Sequence, residues 1–389
     1  MLLQRKLALW LTISYCHMLA YGLMPATLRI NSHAKLRISK VSCVYLVYSL
    51  VITFLLLLQF PFMFPRGIFS GYMKNNIVLQ WNLIVNAGLR LLVIVSWYGH
   101  VWLQRQRLIR FYLEFLFYWR KHWRILSRIA GDQALCNMQL QLANILQRQF
   151  YVNYAMLLCS IVIQYQLVAG RNLLQLFVKI FQMVMLTAIR LGFSALLLLL
   201  THQFESVQLA LLAIQRRGSS RTLVNLRRVA NIHTKWLQLA QSAFGIYDWT
   251  MATVIVMLFA VNVNILYHAV QYTNATIKSD MTGYIFGDAL IVFNLWNSAL
   301  VMNQIEQTTN SCNEAGQLLR QFTDIRRLSP ETQLELELFM NRIRNKQLIF
   351  RVCGCIMLSR AAFLGYIGSV LNNVIILMQF DLKRKQQQQ

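Results

Sequence analysis

Long apolar runs alternate with basic stretches rich in leucine and glutamine along the chain. A segment of about twenty apolar residues is long enough to cross a bilayer. The clearest such segment is residues 41–60, VSCVYLVYSLVITFLLLLQF, which carries no charge and ends at a loop around Pro61 and Pro65. The pattern predicts six more: Ile77 to Tyr98 around Arg90, Phe150 to Ala169, Lys179 to Thr201 around Arg190, Trp249 to His268, Tyr284 to Met302 around Asp288, and Cys355 to Phe380. The last is long for one crossing, so its start is expected to project into water.

The connections carry a second pattern. Residues 99–149, 202–248 and 303–354 are each about fifty residues long and nearly free of Pro and Gly, which predicts helices extending beyond the membrane. Within the third, LELELFMNRIRNKQLIF places Leu334, Leu338 and Phe339 on one stripe with charges elsewhere. Such a stripe needs a partner in water, either other helices of the same chain or another subunit. No internal repeat is evident, which argues against a transporter built from repeated halves. The terminal QQQQ reads as a disordered end.

Composition agrees with a polytopic membrane protein: 57% of residues are hydrophobic. A net charge of +25 on a soluble domain would point to nucleic acid, but here the basic residues lie between apolar segments and mark the cytoplasmic face. Of 38 Lys and Arg residues, 27 fall in the amino-terminal region and the connections after spans two, four and six, against 8 on the opposite side. This places the amino terminus inside and the carboxyl terminus outside. Asn274-Ala275-Thr276, the sole N-x-[ST] glycosylation acceptor in the sequence, then falls in an outer loop. The seven cysteines form no CxxC pair and imply no disulfide framework. The first residues resemble a signal peptide, but the run is short and AYGL is a weak cleavage context.

Enzyme motifs are lacking. There is no G-x-S-x-G, P-loop or H-E-x-x-H, and the histidines lack metal-ligand spacing, so no catalytic residue, metal or cofactor is expected. Arg90, Arg190 and Asp288 lie inside spans, where an unpaired charge costs at least ~2.5 kcal/mol. They should face protein or water, either paired within the bundle or lining a ligand pocket or ion path. With the orientation above, Trp81, Gln164, Tyr165, Asn264, Tyr267 and Asp288 fall in the outer halves of their spans. An outward-open cavity lined by them would suit a small organic ligand. The plainer alternative for each is ordinary packing or interfacial anchoring.

The stretch NNVIILMQF closes the last span. On a helix Asn372 and Gln379 share one line, with Ile376 between them, and Asn373, Leu377 and Phe380 form a neighbouring line. Amides facing lipid would lack partners. Two readings fit equally. The amides tie helices together, or several copies surround an aqueous axis that Ile376 with Leu377 or Phe380 narrows into a dewetting gate.

VCGCIMLSRAAFLGYIGSVLNNVIILMQF resembles the carboxyl-terminal signature of insect gustatory receptors, a Thr-Tyr pair, five hydrophobic residues and Gln-Phe, preceded by a cysteine-glycine element. Cys353-Gly354, Val374 to Met378 and Gln379-Phe380 match, while Asn372-Asn373 stand in place of Thr-Tyr. This family is similar to insect odorant receptors. The resemblance implies an all-α, seven-helix subunit of a homotetrameric or heterotetrameric ligand-gated channel in the plasma membrane of gustatory sensory neurons. It would be opened by a small-molecule tastant, with monovalent and divalent cations as permeants and other gustatory receptor subunits as further partners. Residues 1–302 would form the ligand-binding bundle, 303–354 the cytoplasmic anchor, 355–380 the pore helix and 381–389 an extracellular tail. Gln379 and Phe380 would stand at the outer gate; helix geometry, not the resemblance, adds Ile376 and Asn372 as pore-facing positions, and Asn372-Asn373 depart from the family's Thr-Tyr at the inner end. The chain's divergence leans the tastant toward a bitter or aversive compound. A G-protein-coupled receptor is the alternative, but that class keeps its amino terminus outside, and neither D/E-R-Y after span three nor N-P-x-x-Y in span seven is present.

Overall fold

The computed structural model describes residues 5–30, 36–38, 43–59, 76–168, 173–217, 222–273, 281–320, 322 and 329–388. Asn274 and the loop around Pro61 and Pro65 lie outside the described residues. The helices are α1 (Arg5–Ala20), α2 (Cys43–Leu58), α3 (Ile77–Leu103), α4 (Arg105–Ala130), α5 (Asp132–Val168), α6 (Leu173–Arg217), α7 (Thr222–Thr273), α8 (Met281–Asn313), α9 (Ala315–Arg320), α10 (Pro330–Asn345) and α11 (Arg360–Gln388). Among the described residues two small antiparallel strand pairs interrupt the helices. β1 (Leu28–Ile30) pairs with β2 (Leu36–Ile38), and β3 (Arg351–Val352) pairs with β4 (Ile356–Met357).

Among the described residues, α3, α6, α7, α8 and α11 are long and apolar enough to cross a membrane. The other two expected spans fall on α2, a shorter apolar helix, and on the second half of α5. At 1.5 Å per residue α7, with 52 residues, is roughly 78 Å long, far more than a hydrocarbon core of about 30 Å. Residues 202–217 and 222–248 therefore continue α6 and α7, whereas 99–149 and 303–354 also hold the separate helices α4, α9 and α10.

Local chemistry sets the helix ends. Asn76 caps α3 by accepting from the Leu79 amide at 3.1 Å. Gly131, at φ 95°, stops α4 in a conformation that a Cβ would strain. Ser329 caps α10, with Pro330 in its first turn, Glu331 near its amino end and Arg342 and Arg344 near its carboxyl end, all matching the helix dipole. In α4, Leu108, Phe111, Phe115, Trp119, His122, Leu126 and Ile129 are buried. Their three- and four-residue spacing makes one stripe against the core, in a helix too polar to be a span.

The main core runs through α3, α4, α6, α7 and the inner parts of α8 and α10. Helix α6 is its centre: 72% of its most apolar window is buried, against 11% for α11. Three expectations change here. The inward stripe of α10 is Leu336, Phe339 and Ile343, while Leu334 and Leu338 are exposed. Phe339 packs edge-on to the His233 ring of α7 at 5.5 Å. The last helix starts at Arg360, because residues before it fold into the β3–β4 hairpin. It also continues to Gln388, so glutamines 386–388 extend a helix.

Candidate functional site: the carboxyl-terminal helix and its seat

The approach to α11 is fixed by a tight turn. Cys353 and Gly354 have φ of 50° and 69°, and the Cys355 amide donates back to the Val352 carbonyl at 3.1 Å. Two successive left-handed residues make the hairpin reverse compactly, which explains a glycine in the cysteine-glycine element. Asp248 of α7 accepts from the Cys353 amide at 2.6 Å, anchoring the turn to the bundle. Ser359 then caps α11 by accepting from the Ala362 amide at 3.1 Å. The Arg360 amide donates to Glu306 of α8, and its guanidinium donates to Asn303 at 2.7 Å. A carboxylate at the first turn complements the helix dipole.

Higher up, α11 is held by a polar knot. Asn262 of α7 donates to the Tyr366 hydroxyl at 2.5 Å and to Ser298 of α8 at 3.4 Å, all three groups being buried. Farther along, Gln271 of α7 donates to Asp381 at 3.1 Å. Between these ties, Leu377 and Met378 pack against Leu79 of α3 and Tyr267 of α7. None of the tying residues Asn262, Ser298, Tyr366, Gln271, Asp381 and Asp248 stands out in the sequence. Their partners lie far away along the chain, and no local spacing marks them.

At roughly 100° per residue α11 separates into three faces. Tyr366, Val370, Val374 and Asp381 are buried, with Leu377 beside them. Leu364, Leu371, Ile375 and Leu382 form an exposed aliphatic face. The third face, opposite the packed one, carries Gly365, Gly368, Ser369, Asn372, Ile376 and Gln379, with Phe380 at its edge, and the chain leaves it uncovered. Asn372, Ile376, Gln379 and Phe380 thus share the free side of the helix. Leu377 does not join them, because it packs inward.

The six residues expected around a ligand are scattered. Trp81 and Tyr165 are exposed on α3 and α5. Gln164 is half-buried and accepts from Lys179 of α6 at 2.8 Å. Tyr267 is fully buried beside α3 and α11. Asn264 is half-buried on α7 with its side-chain oxygen enclosed. Asp288 is exposed, on the side of α8 away from Phe286, Leu290 and Phe293, which pack against Met156 and Cys159 of α5. Arg190 is buried, donating to the Leu186 carbonyl at 3.3 Å and lying 3.6 Å from the Met156 sulfur. Among the described residues no group of three or more His, Cys, Asp or Glu side chains could hold a metal.

Residues 11–384 match the family described as 7tm chemosensory receptor. The chain belongs to that family. The receptor is 41% identical over 390 residues to putative gustatory receptor 58b of Drosophila melanogaster, covering 99% of this chain and 96% of that one. It is 25% identical over 394 residues to putative gustatory receptor 58a of the same organism, covering 96% and 98% of the two chains. The resemblance read from the final thirty residues thus extends over the whole chain. The fold of the receptor is similar to olfactory receptor OR5 from Machilis hrabei, with TM-score 0.66 and 12% identity, covering 96% of this chain and 98% of that one. The same receptor in complex with eugenol matches with TM-score 0.68. The receptor is a multi-pass membrane protein with the fold of the insect olfactory receptors.

Proposed function

We propose that the receptor is a taste receptor subunit of a ligand-gated cation channel, in which several copies of α11 surround a water-filled axis. The observation that carries this is the third face of α11. Asn372 and Gln379 point away from the bundle from a helix otherwise apolar enough to span a membrane. Each unsatisfied polar group in hydrocarbon costs several kcal/mol. Asn373 relieves part of this locally by donating to the Ser369 carbonyl at 2.8 Å, a route that needs no neighbour. Water within an assembly satisfies the remaining amides. Ile376 and Phe380, on the same side, supply the apolar constriction that closes such a conduit. The aliphatic face of Leu364, Leu371 and Ile375 is left for lipid or adjoining subunits.

In this reading the amino terminus is cytoplasmic, the carboxyl terminus is extracellular, and Asn274 lies in an outer loop. The ligand is a small organic tastant, an aversive one by the divergence of the chain, bound in the outer half of the bundle in gustatory neurons. A bound small molecule in the structurally similar olfactory receptor, eugenol, supports a cavity of that kind. Expression of Gln379→Ala and Phe380→Ala in cells, alone and with candidate partner subunits, tests the gate. Altered leak, ion selectivity or evoked current is expected. Unchanged currents from both variants, or wild-type currents that vanish when G-protein signalling is blocked, would refute it.

A further inference from the structure

One buried stripe of α6 holds positive charge without a counter-charge among the described residues. On α6, Lys179, Gln182, Leu186 and Arg190 fall within one stripe about 80° wide, and all four are buried: 4%, 1%, 6% and 8% exposed. Lys179 donates to Gln164, and Arg90 of α3 repels it from nearby. Arg190 reaches only a backbone carbonyl and a thioether. Neither Lys179 nor Arg190 meets a carboxylate among the described residues. The two acids described at this depth are committed elsewhere, Asp288 turned outward on α8 and Asp381 bonded to Gln271 on the far side of α7. Gln182 is the second, independent observation. Its amide oxygen and nitrogen are both enclosed, and among the described residues neither has a hydrogen-bond partner.

Buried charges in membrane helices are compensated or functional, and a buried polar group without a partner costs about 1–3 kcal/mol. Two buried cations and a free amide side chain on one stripe of α6, with Arg90 of α3 near enough to repel Lys179, constitute half of a binding site. The missing half is an anion able to accept several hydrogen bonds.

We infer that the seam of α5 and α6 where Lys179 meets Gln164 binds the carboxylate of a small amphipathic organic acid through Lys179 and Gln182. This names the ligand class of the pocket proposed above and rests on that reading only for the consequence of binding. Lys179 supplies the charge, Gln182 a neutral donor, and Gln164 holds the ammonium in place from α5. The deeper Arg190 adds to the positive potential. The partly buried Ile163 and Phe286, packed around Met156, Cys159 and Leu290, offer an apolar wall for the acid's carbon skeleton. An aliphatic or aromatic monocarboxylate fits this division.

The test reads binding and not current, so it stands apart from the channel reading. Full-length receptor in phosphatidylcholine nanodiscs is heated with straight-chain alkanoates or benzoate, and with the methyl ester of each acid. At least one acid is expected to raise the thermal midpoint by about 2 °C or more at saturation while its ester does not. Lys179→Met should abolish that rise and Gln182→Leu should weaken it, whereas Lys179→Arg should keep it. In the absence of ligand Lys179→Met should melt higher than wild type, because it removes an uncompensated charge. Acids and esters acting alike would overturn the inference, as would a lower ligand-free midpoint for Lys179→Met. Stabilisation only by chloride over gluconate, or only by anionic lipid, would equally overturn it and identify the occupant as an inorganic anion or a headgroup.

Discussion

Replacing Tyr366 by Phe removes the hydroxyl that accepts from Asn262 at 2.5 Å and leaves the ring packed between α7 and α8. Asn262 keeps only its long contact to Ser298 at 3.4 Å, in a site where both residues are buried. Hydrogen bonds between membrane helices are worth roughly 0.6 kcal/mol on average and about 1.7 kcal/mol at most. This one is short and shielded, so the upper part of that range applies. That corresponds to about eightfold to twentyfold in the equilibrium between seated and displaced α11. Asn262→Ala breaks the same contact from the other side. The assay is a double-mutant cycle on the thermal unfolding of purified receptor. Each single change lowers the midpoint, and the double mutant falls little further than the worse single, because the shared bond is lost only once. If α11 lines the pore as proposed, the same variants also shift basal leak. Strictly additive losses would show that Asn262 and Tyr366 act separately and that the polar knot does not hold α11 in its seat.

Phe339→Ala empties a fully buried site against His233 and should cost about 3–5 kcal/mol, read as a large drop in the unfolding midpoint, while Leu338→Ala on the exposed side should cost little. Asp248→Ala removes the acceptor of the exposed Cys353 amide, so hydrogen exchange and protease cleavage around residues 351–357 should rise with a global loss below about 1 kcal/mol. His122, outside the spans, has its pKa lowered from 6.5 to about 4, chiefly by burial and secondarily by Lys121. The unfolded chain then binds more protons than the folded one below pH 6.5, so stability should be flat above that value and fall between 6.5 and about 4. His122→Phe should flatten part of that fall in a midpoint-against-pH series.

Much of the architecture was legible because the bilayer imposes a length. Uncharged runs such as VSCVYLVYSLVITFLLLLQF have few other uses, and connections lacking Pro and Gly had to continue as helices. Legibility stopped where two local answers were equally apolar. In α10, Leu334, Leu336, Leu338 and Phe339 allow either of two stripes, and the stripe through Leu336 and Phe339 is the one that meets His233 of α7. In CGCIMLS the apolar residues read as span, yet Cys353 and Gly354 turn the chain back into a hairpin first. Direction around the helix axis was not readable for Trp81 and Tyr165, because packing with other helices sets it.

Polar residues in the spans follow the same division, and the contrast between α6 and α11 shows what each pattern demands. On α11 the amides stand on the side that one chain cannot cover, so whatever satisfies them must come from outside the subunit. On α6 the cations and Gln182 stand on the side that the chain covers almost completely, so neither lipid nor a second copy can reach them. Only something small enough to enter the bundle can complete that site. The two polar faces thus differ in what could reach them, which is why we assign the proposed shared axis to α11 and the proposed small anion to α6. Helix α7 lies between them, packed on α6 and tied to α11 through Asn262 and Gln271. If the proposed anion acts on the proposed pore, that helix is the direct mechanical route, and the Asn262–Tyr366 cycle measures its last link.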